Sequence, residues 1–134
     1  IDRHELIAPL AGAVERFDRK PVQVLLQVSL DPMPDPGRGG VYPDDVESLA
    51  EAVAGHEALH LTGIMAVAPH PDTGVDPRMA FDRLHEISAR VRTSWPSARE
   101  ISAGMSNDLD AGIAAGATQV RIGGAILGER PPVQ

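Results

Sequence analysis

The chain has 134 residues, a formal net charge of −7 and no cysteine, so it can form one domain with a substantial core. The acidic balance and an aromatic content of 3% disfavour nucleic-acid partners, which need positive charge and stacked rings. The absence of thiols excludes disulfides, thiolate catalysis and zinc–cysteine sites within these residues. No apolar run approaches the roughly 18 residues of a membrane span, and we expect a cytoplasmic protein.

Helical and strand patterns alternate along the chain. Apolar residues at a spacing of three and four predict helices, and almost unbroken apolar runs predict strands buried on both faces. In chain order we predict a helix over 4–19, a strand over 22–30, a Pro/Gly-rich loop over 31–40, a helix over 43–53 ended by Gly55, a strand over 59–68, a loop over 69–77, a helix over 77–95, a strand over 100–104, a helix over 109–115 closed by Gly116 and a strand over 118–122.

Four strands alternating with helices predict an α/β fold of parallel βα units. Periodicity alone leaves open whether the sheet is doubly wound or is a slice of a barrel. In either architecture ligands bind at the carboxyl ends of the strands, where the glycine-rich and polar loops of this chain fall.

Two small-residue turns near the C-terminal end follow predicted strands. The first reads Ser-Ala-Gly-Met-Ser-Asn-Asp over 102–108, and the second reads Val-Arg-Ile-Gly-Gly-Ala-Ile-Leu-Gly over 120–128. Backbone N–H groups near glycines and at a helix start can surround an oxyanion. The two turns therefore predict a phosphate cradle, although Ser106 and the glycines also suit a helix cap and plain turns.

These segments resemble the C-terminal signature of the pyridoxal-phosphate (PLP) homeostasis proteins, which are related to the N-terminal barrel of alanine racemase. The segments 61–66 (LTGIMA) and 25–29 (LLQVS) are similar to the sixth and fifth strands of that family, with Ser29 in place of a usual Asn. The resemblance implies that 1–134 is a single partial domain, the second half of a TIM-type (β/α)8 barrel. The first half, with the lysine that holds PLP covalently, is then absent, and Lys20 precedes the fifth strand at the end away from the ligand.

The resemblance implies PLP binding and PLP homeostasis by a non-catalytic carrier or regulator. Arg121 would approach the pyridine nitrogen, and Gly124 stands where the family often has Thr. The implied cofactor-binding residues, which would hold PLP or a phosphate or sulfate ion, are Met65, Met105, Ser106, Asn107, Arg121, Gly123 and Gly124.

Two other functions stay open at this point. One is an alanine-racemase-like PLP enzyme, which needs two bases on opposite faces of the ring, whereas Tyr42 is the sole tyrosine. The other is a truncated half-barrel without ligand. A half-barrel would expose two sheet edges and an apolar inner face, so we expect a homo-oligomer.

Two histidine features complete the candidate list. The segment 56–60 (HEALH) matches the zinc-protease pattern in letters, but Gly55 ends the preceding helix and His60 starts a strand, so we expect no metal site. His70 lies in the loop after a strand, on the ligand side, and is a candidate contact.

Overall fold

The computed structural model describes residues 1–17, 20–35 and 37–128. They form a small α/β fold with parallel strands, and no helix in these ranges is long and apolar enough to cross a membrane. The elements are a 3-10 turn at His4–Leu6, α1 at Ile7–Arg16, β1 at Val22–Gln27, α2 at Val46–Ala54, β2 at Leu59–Met65, a 3-10 turn at Pro71–Thr73, α3 at Pro77–Ser94, β3 at Glu100–Ser102, α4 at Leu109–Ala114 and α5 at Gly124–Leu127.

The three strands form one parallel sheet in the order β1-β2-β3. Both outer edges carry further residues: Ile1 and Val41 lie beside β1, and Gln119 lies beside β3. The Ile1 amino group donates to the Leu25 carbonyl, and the Gln27 amide donates to the Ile1 carbonyl, each at 2.8 Å. At the other edge Gln119 forms a parallel bridge with Ser102. Ile1, β1, β2, β3 and Gln119 therefore lie side by side in sequence order, and Val41 shares the outer edge of β1 with Ile1.

The predicted strand over 118–122 is reduced to that single bridge, so this prediction was wrong. The Gln119 amide donates to the Ile101 carbonyl and the Ala103 amide donates to the Gln119 carbonyl, both at 3.1 Å. The neighbouring strand β3 is only three residues long, and within the described ranges nothing pairs with the outer edge of 118–122. An extended segment forms a ladder only along the length over which a neighbouring strand lies beside it.

The faces of β1 also differ from the prediction of burial on both sides. Val24 and Leu26 are buried in the core that the helices complete, whereas Leu25 and Gln27 are half-buried on the opposite face. By register, Gln27 lies opposite Met65 and Met65 lies opposite Ser102. The open face of the sheet is therefore mixed in polarity, and the expected apolar inner face was wrong.

The helices begin and end close to their predicted bounds. The predicted helix over 4–19 starts as a 3-10 turn and becomes α-helical at Ile7. Pro9 therefore lies in the first turn of α1, where its missing N–H breaks no helical hydrogen bond. Residues 18 and 19 lie outside the described ranges. Residues 43–45 form a turn, and α2 begins at Val46. The Asp76 side chain caps α3 by accepting from the Arg78 amide at 2.8 Å.

Candidate functional site

The loops that follow β1, β2 and β3 meet at the carboxyl edge of the sheet and enclose an open cleft of about 780 Å³. Six of the seven residues predicted to hold a cofactor lie in its wall, together with residues from the 31–40 and 69–77 loops. The lining residues are Arg38, Val67, Ala68, Pro69, His70, Pro71, Gly74, Val75, Asp76, Pro77, Met105, Ser106, Asn107, Asp108, Arg121, Gly123 and Gly124.

The loop after β3 is a tight turn that presents Ser106 to the cleft. The Asp108 carboxylate accepts from the Met105 amide at 2.6 Å, and the Asp108 amide donates to the Met105 carbonyl at 3.1 Å. α4 packs closely behind this turn because Gly112 has no side chain: a Cβ there would lie 2.8 Å from the Ala103 carbonyl oxygen. These contacts fix the backbone on which Ser106 and Asn107 are carried.

Ser106 lies next to the second glycine turn. Its Oγ accepts from the Ala125 amide at 3.4 Å. Within the described part of the chain, the amides of Ser106, Gly123 and Gly124 donate to no protein group. A Cβ at Gly123 or Gly124 would meet open space. The hydroxyl and the three amides are therefore available donors around a space large enough for an oxyanion.

Arg121 is fixed in the cleft wall by carbonyl groups at the ends of two strands. Its Nη1 donates to Ser102 O at 3.0 Å and to Ser102 Oγ at 2.7 Å, and its Nη2 donates to Ala66 O at 2.9 Å. Partial burial lowers the pKa of Arg121, and the charge of Asp108 opposes that shift. An arginine remains cationic under such a shift, so the cleft has a positive charge in a defined position.

Met65 is the predicted site residue that the structure does not bring into the cleft. It is the last residue of β2 and is half-buried on the open face of the sheet. Val67, two residues further along and on the same side of the chain, lines the cleft instead. The resemblance implied Met65 as a cofactor contact, and the structure does not place this side chain in the cleft wall.

Arg38 is a cleft residue that sequence reasoning missed. Its Nε contacts the Asp31 carboxylate at 2.9 Å and its Nη2 donates to the Ala68 carbonyl at 2.7 Å. The Asp31 side chain is only 7% exposed, so this pair ties the 31–40 loop to the end of β2. The available signal was an arginine between glycines at the end of a Pro-rich loop, directly after a strand.

Three other residues from the sequence analysis lie away from the cleft or apart from each other. Lys20 precedes β1 and is therefore at the amino edge of the sheet, opposite the cleft. His56 lies in the turn after α2, whereas His60 lies in β2, so the two imidazoles do not share a helix face. Tyr42 is 45% exposed in the turn before α2 and does not line the cleft.

The geometry agrees with comparisons to known proteins. Residues 1–131 match the alanine racemase N-terminal domain, and the chain belongs to that family. It is 41% identical over 126 residues to the pyridoxal phosphate homeostasis protein of Mycobacterium tuberculosis (strain ATCC 25618 / H37Rv), covering 92% of this chain and 47% of the relative. It is 36% identical over 111 residues to the protein of the same name from Escherichia coli (strain K12), covering 82% and 46%.

Solved structures show the same similarity at the level of the fold. PipY of Synechococcus elongatus PCC7942 with PLP bound superposes with a TM-score of 0.79 at 25% identity, covering 96% of this chain and 58% of PipY. A protein from Bifidobacterium adolescentis superposes with a TM-score of 0.81 at 26% identity, covering 95% and 51%. The chain therefore spans about half the length of the relatives it matches, and its resemblance to the PLP homeostasis proteins is confirmed.

Proposed function

We propose that this chain supplies the phosphate-holding half of a PLP site, and that the protein is a non-catalytic carrier and regulator of intracellular PLP. The observation that carries the proposal is the convergence of the Ser106 hydroxyl, the amides of Gly123 and Gly124 and the fixed Arg121 guanidinium on one cleft. Relatives named pyridoxal phosphate homeostasis protein and the PLP-bound PipY structure support it.

The donors present fit a phosphorylated pyridine aldehyde. A phosphate group is recognised by backbone N–H groups and hydroxyls, which Ser106, Gly123 and Gly124 offer. When bound, PLP supplies an electron-accepting ring and an aldehyde. In this proposal Arg121 faces the pyridine nitrogen and keeps it unprotonated, which weakens the ring as an electron acceptor. That property favours a carrier over a racemase, and Met105 and Asn107 would complete the wall around the ligand.

We further propose that the chain forms the second half of a (β/α)8 barrel. The sheet runs in sequence order from Ile1 through β1, β2 and β3 to Gln119, as successive barrel strands do. The lysine that holds PLP would belong to the other half, because Lys20 lies at the amino edge of the sheet. Within the described ranges the outer sheet edges are paired only at Ile1, Val41 and Gln119, and one sheet face is half-exposed. These features favour association, so we propose a homo-oligomer, located in the cytoplasm.

A binding titration tests the phosphate site directly. The 134-residue chain is titrated with PLP and with inorganic phosphate while 15N amide shifts are recorded. We expect shifts at Ser106, Gly123 and Gly124, and Ser106→Ala should weaken phosphate binding about tenfold or more, since a hydrogen bond to a charged group contributes about 1.5–3 kcal/mol. Ser97→Ala, an exposed serine at the opposite end of the sheet, is the matched control. Equal affinity in both variants would refute the site.

Covalent loading tests the half-barrel. The chain is co-expressed with the remaining half of the Mycobacterium tuberculosis relative, loaded with PLP, reduced with borohydride and mapped by mass spectrometry. We expect the label on a lysine of the relative's half and none on Lys20. Light scattering of the chain alone tests association: a monodisperse 14.2 kDa monomer contradicts the proposed oligomer.

A further inference from the structure

His70 stands at the rim of the cleft on a rigid turn. It is flanked by Pro69 and Pro71, and its carbonyl accepts from the Thr73 amide at 2.9 Å and from the Thr73 hydroxyl at 2.7 Å. Gly74, with a φ of 70°, closes the turn in the left-handed region. Prolines on both sides restrict the backbone, so the imidazole is carried at a defined place beside the cleft.

Asp72 orients the imidazole through one ring nitrogen. The Asp72 amide donates to Nδ1 of the neutral ring at 3.3 Å, and the Asp72 Oδ2, 3.1 Å from the same nitrogen, is placed to accept from Nδ1 when the ring is protonated there. Within the described residues Nε2 has no protein partner. The side chain of His70 is 62% exposed and that of Asp72 is 90% exposed, so a ligand can reach the free nitrogen.

The other charged groups of the cleft are already engaged. Asp76 accepts a hydrogen bond at the start of α3, and Asp108 accepts one within its own turn. Arg38 is paired with a carboxylate, and Arg121 is held by strand-end carbonyls. Histidine is the side chain that ordinarily changes its charge between pH 5 and 8, and His70 is the histidine among the described residues that line the cleft.

We propose that His70, oriented by Asp72, is a further binding residue of this cleft, whose imidazolium form contacts the oxyanion group of the ligand through Nε2. The inference deepens the proposed function and rests on it, since it concerns the same phosphate-class ligand. Its consequence is that the cleft holds oxyanions more tightly as the pH falls from 8 to 5.5.

Inorganic sulfate is the suitable probe because it stays dianionic over this range, whereas a phosphate ester itself gains a proton near pH 6. Sulfate affinity of the whole chain is measured by amide shifts of Ser106, Gly123 and Gly124 at several pH values, and the histidine rings are followed by long-range 1H–15N spectra. We expect binding about two- to fivefold tighter at pH 5.5 than at pH 8, the range that exposed charge pairs give. By linkage, saturating sulfate should move the midpoint of the His70 ring titration upward by about 0.3–0.7 pH units.

His70→Gln keeps a hydrogen-bonding side chain without the charge and should make the sulfate affinity independent of pH. His85→Gln, an exposed histidine on α3 outside the cleft, is the matched control and should behave as the wild type. The inference fails and the proposed function stands if sulfate shifts the amides of Ser106 and Gly123 but does not move the His70 midpoint in the wild type, and if the effect of pH on sulfate affinity is the same in His70→Gln as in the wild type. If sulfate and PLP shift none of these amides, both fail.

Discussion

Gly63 is the position in the sheet where one methyl group should have the largest effect on stability. It lies in β2 and is the register partner of Glu100 in β3. A Cβ built on Gly63 would lie 1.9 Å from the Glu100 carbonyl oxygen, 2.6 Å from its carbonyl carbon and 2.7 Å from its nitrogen. All three are backbone atoms, so no side-chain rotation relieves the overlap and the two strands must separate.

The magnitude follows from what that separation breaks. Overpacking a rigid contact costs about 1–3 kcal/mol, and each β2–β3 hydrogen bond lost costs about 1 kcal/mol. Because β3 has only three residues, little of its pairing can survive a local displacement. We expect Gly63→Ala to lower the free energy of unfolding by about 3–5 kcal/mol, a large part of the stability of a small domain.

Urea unfolding followed by far-UV circular dichroism and by the fluorescence of the single tryptophan, Trp95, measures this change. Gly12→Ala is the matched control, because Gly12 lies within α1 and its added Cβ would meet no atom within 4 Å. We expect that control to be stabilised by about 0.5–1 kcal/mol. A Gly63→Ala variant within about 1 kcal/mol of the wild type would refute the argument from close strand approach; loss of folding in Gly63→Ala alone would be its extreme confirmation.

Three further variants have defined outcomes. Asp76→Ala removes the cap of α3 and should cost about 1 kcal/mol in urea unfolding, and an unchanged midpoint would show that the cap is dispensable. The Ser88 hydroxyl is buried without a partner among the described residues, so Ser88→Ala should be neutral or stabilising by up to about 1 kcal/mol; a clear loss would point to a partner for Ser88. Arg121→Gln removes the guanidinium that bonds to the Ala66 and Ser102 carbonyls, so it should lower the free energy of unfolding by about 1.5–3 kcal/mol in thermal unfolding. Full stability in this variant would contradict the view that Arg121 links the two strand ends.

The cleft was largely predictable because its residues follow strand ends. Ser106, Arg121 and Gly123 are near one another in the chain, and parallel strands bring their carboxyl ends to one edge. The sequence pattern therefore predicted which loops meet. Met65, which the resemblance implied, lies outside the cleft wall, because β2 ends at Met65 and the chain reaches the cleft two residues later, at Val67.

Contacts between distant segments account for what the sequence did not reveal. Arg38 reaches the cleft through Asp31 and through Ala68, thirty residues along the chain, and no local periodicity encodes such a contact. The shortened pairing at Gln119 has a similar origin, because strand length depends on the partner that lies alongside. The mixed polarity of the open sheet face depends on which side the helices cover, which β1 alone does not determine.

The hydrogen bonds that hold Arg121 have a consequence for the rate of ligand exchange. Its guanidinium is already held by Ser102 and Ala66 before any ligand arrives, so binding need not order a long side chain and release need not disorder one. The entropic cost of immobilising a flexible cation, about 0.5–1.5 kcal/mol for such a side chain, was met when the chain folded. A site arranged in this way exchanges its occupant without rearranging its own wall, as the proposed carrier function requires.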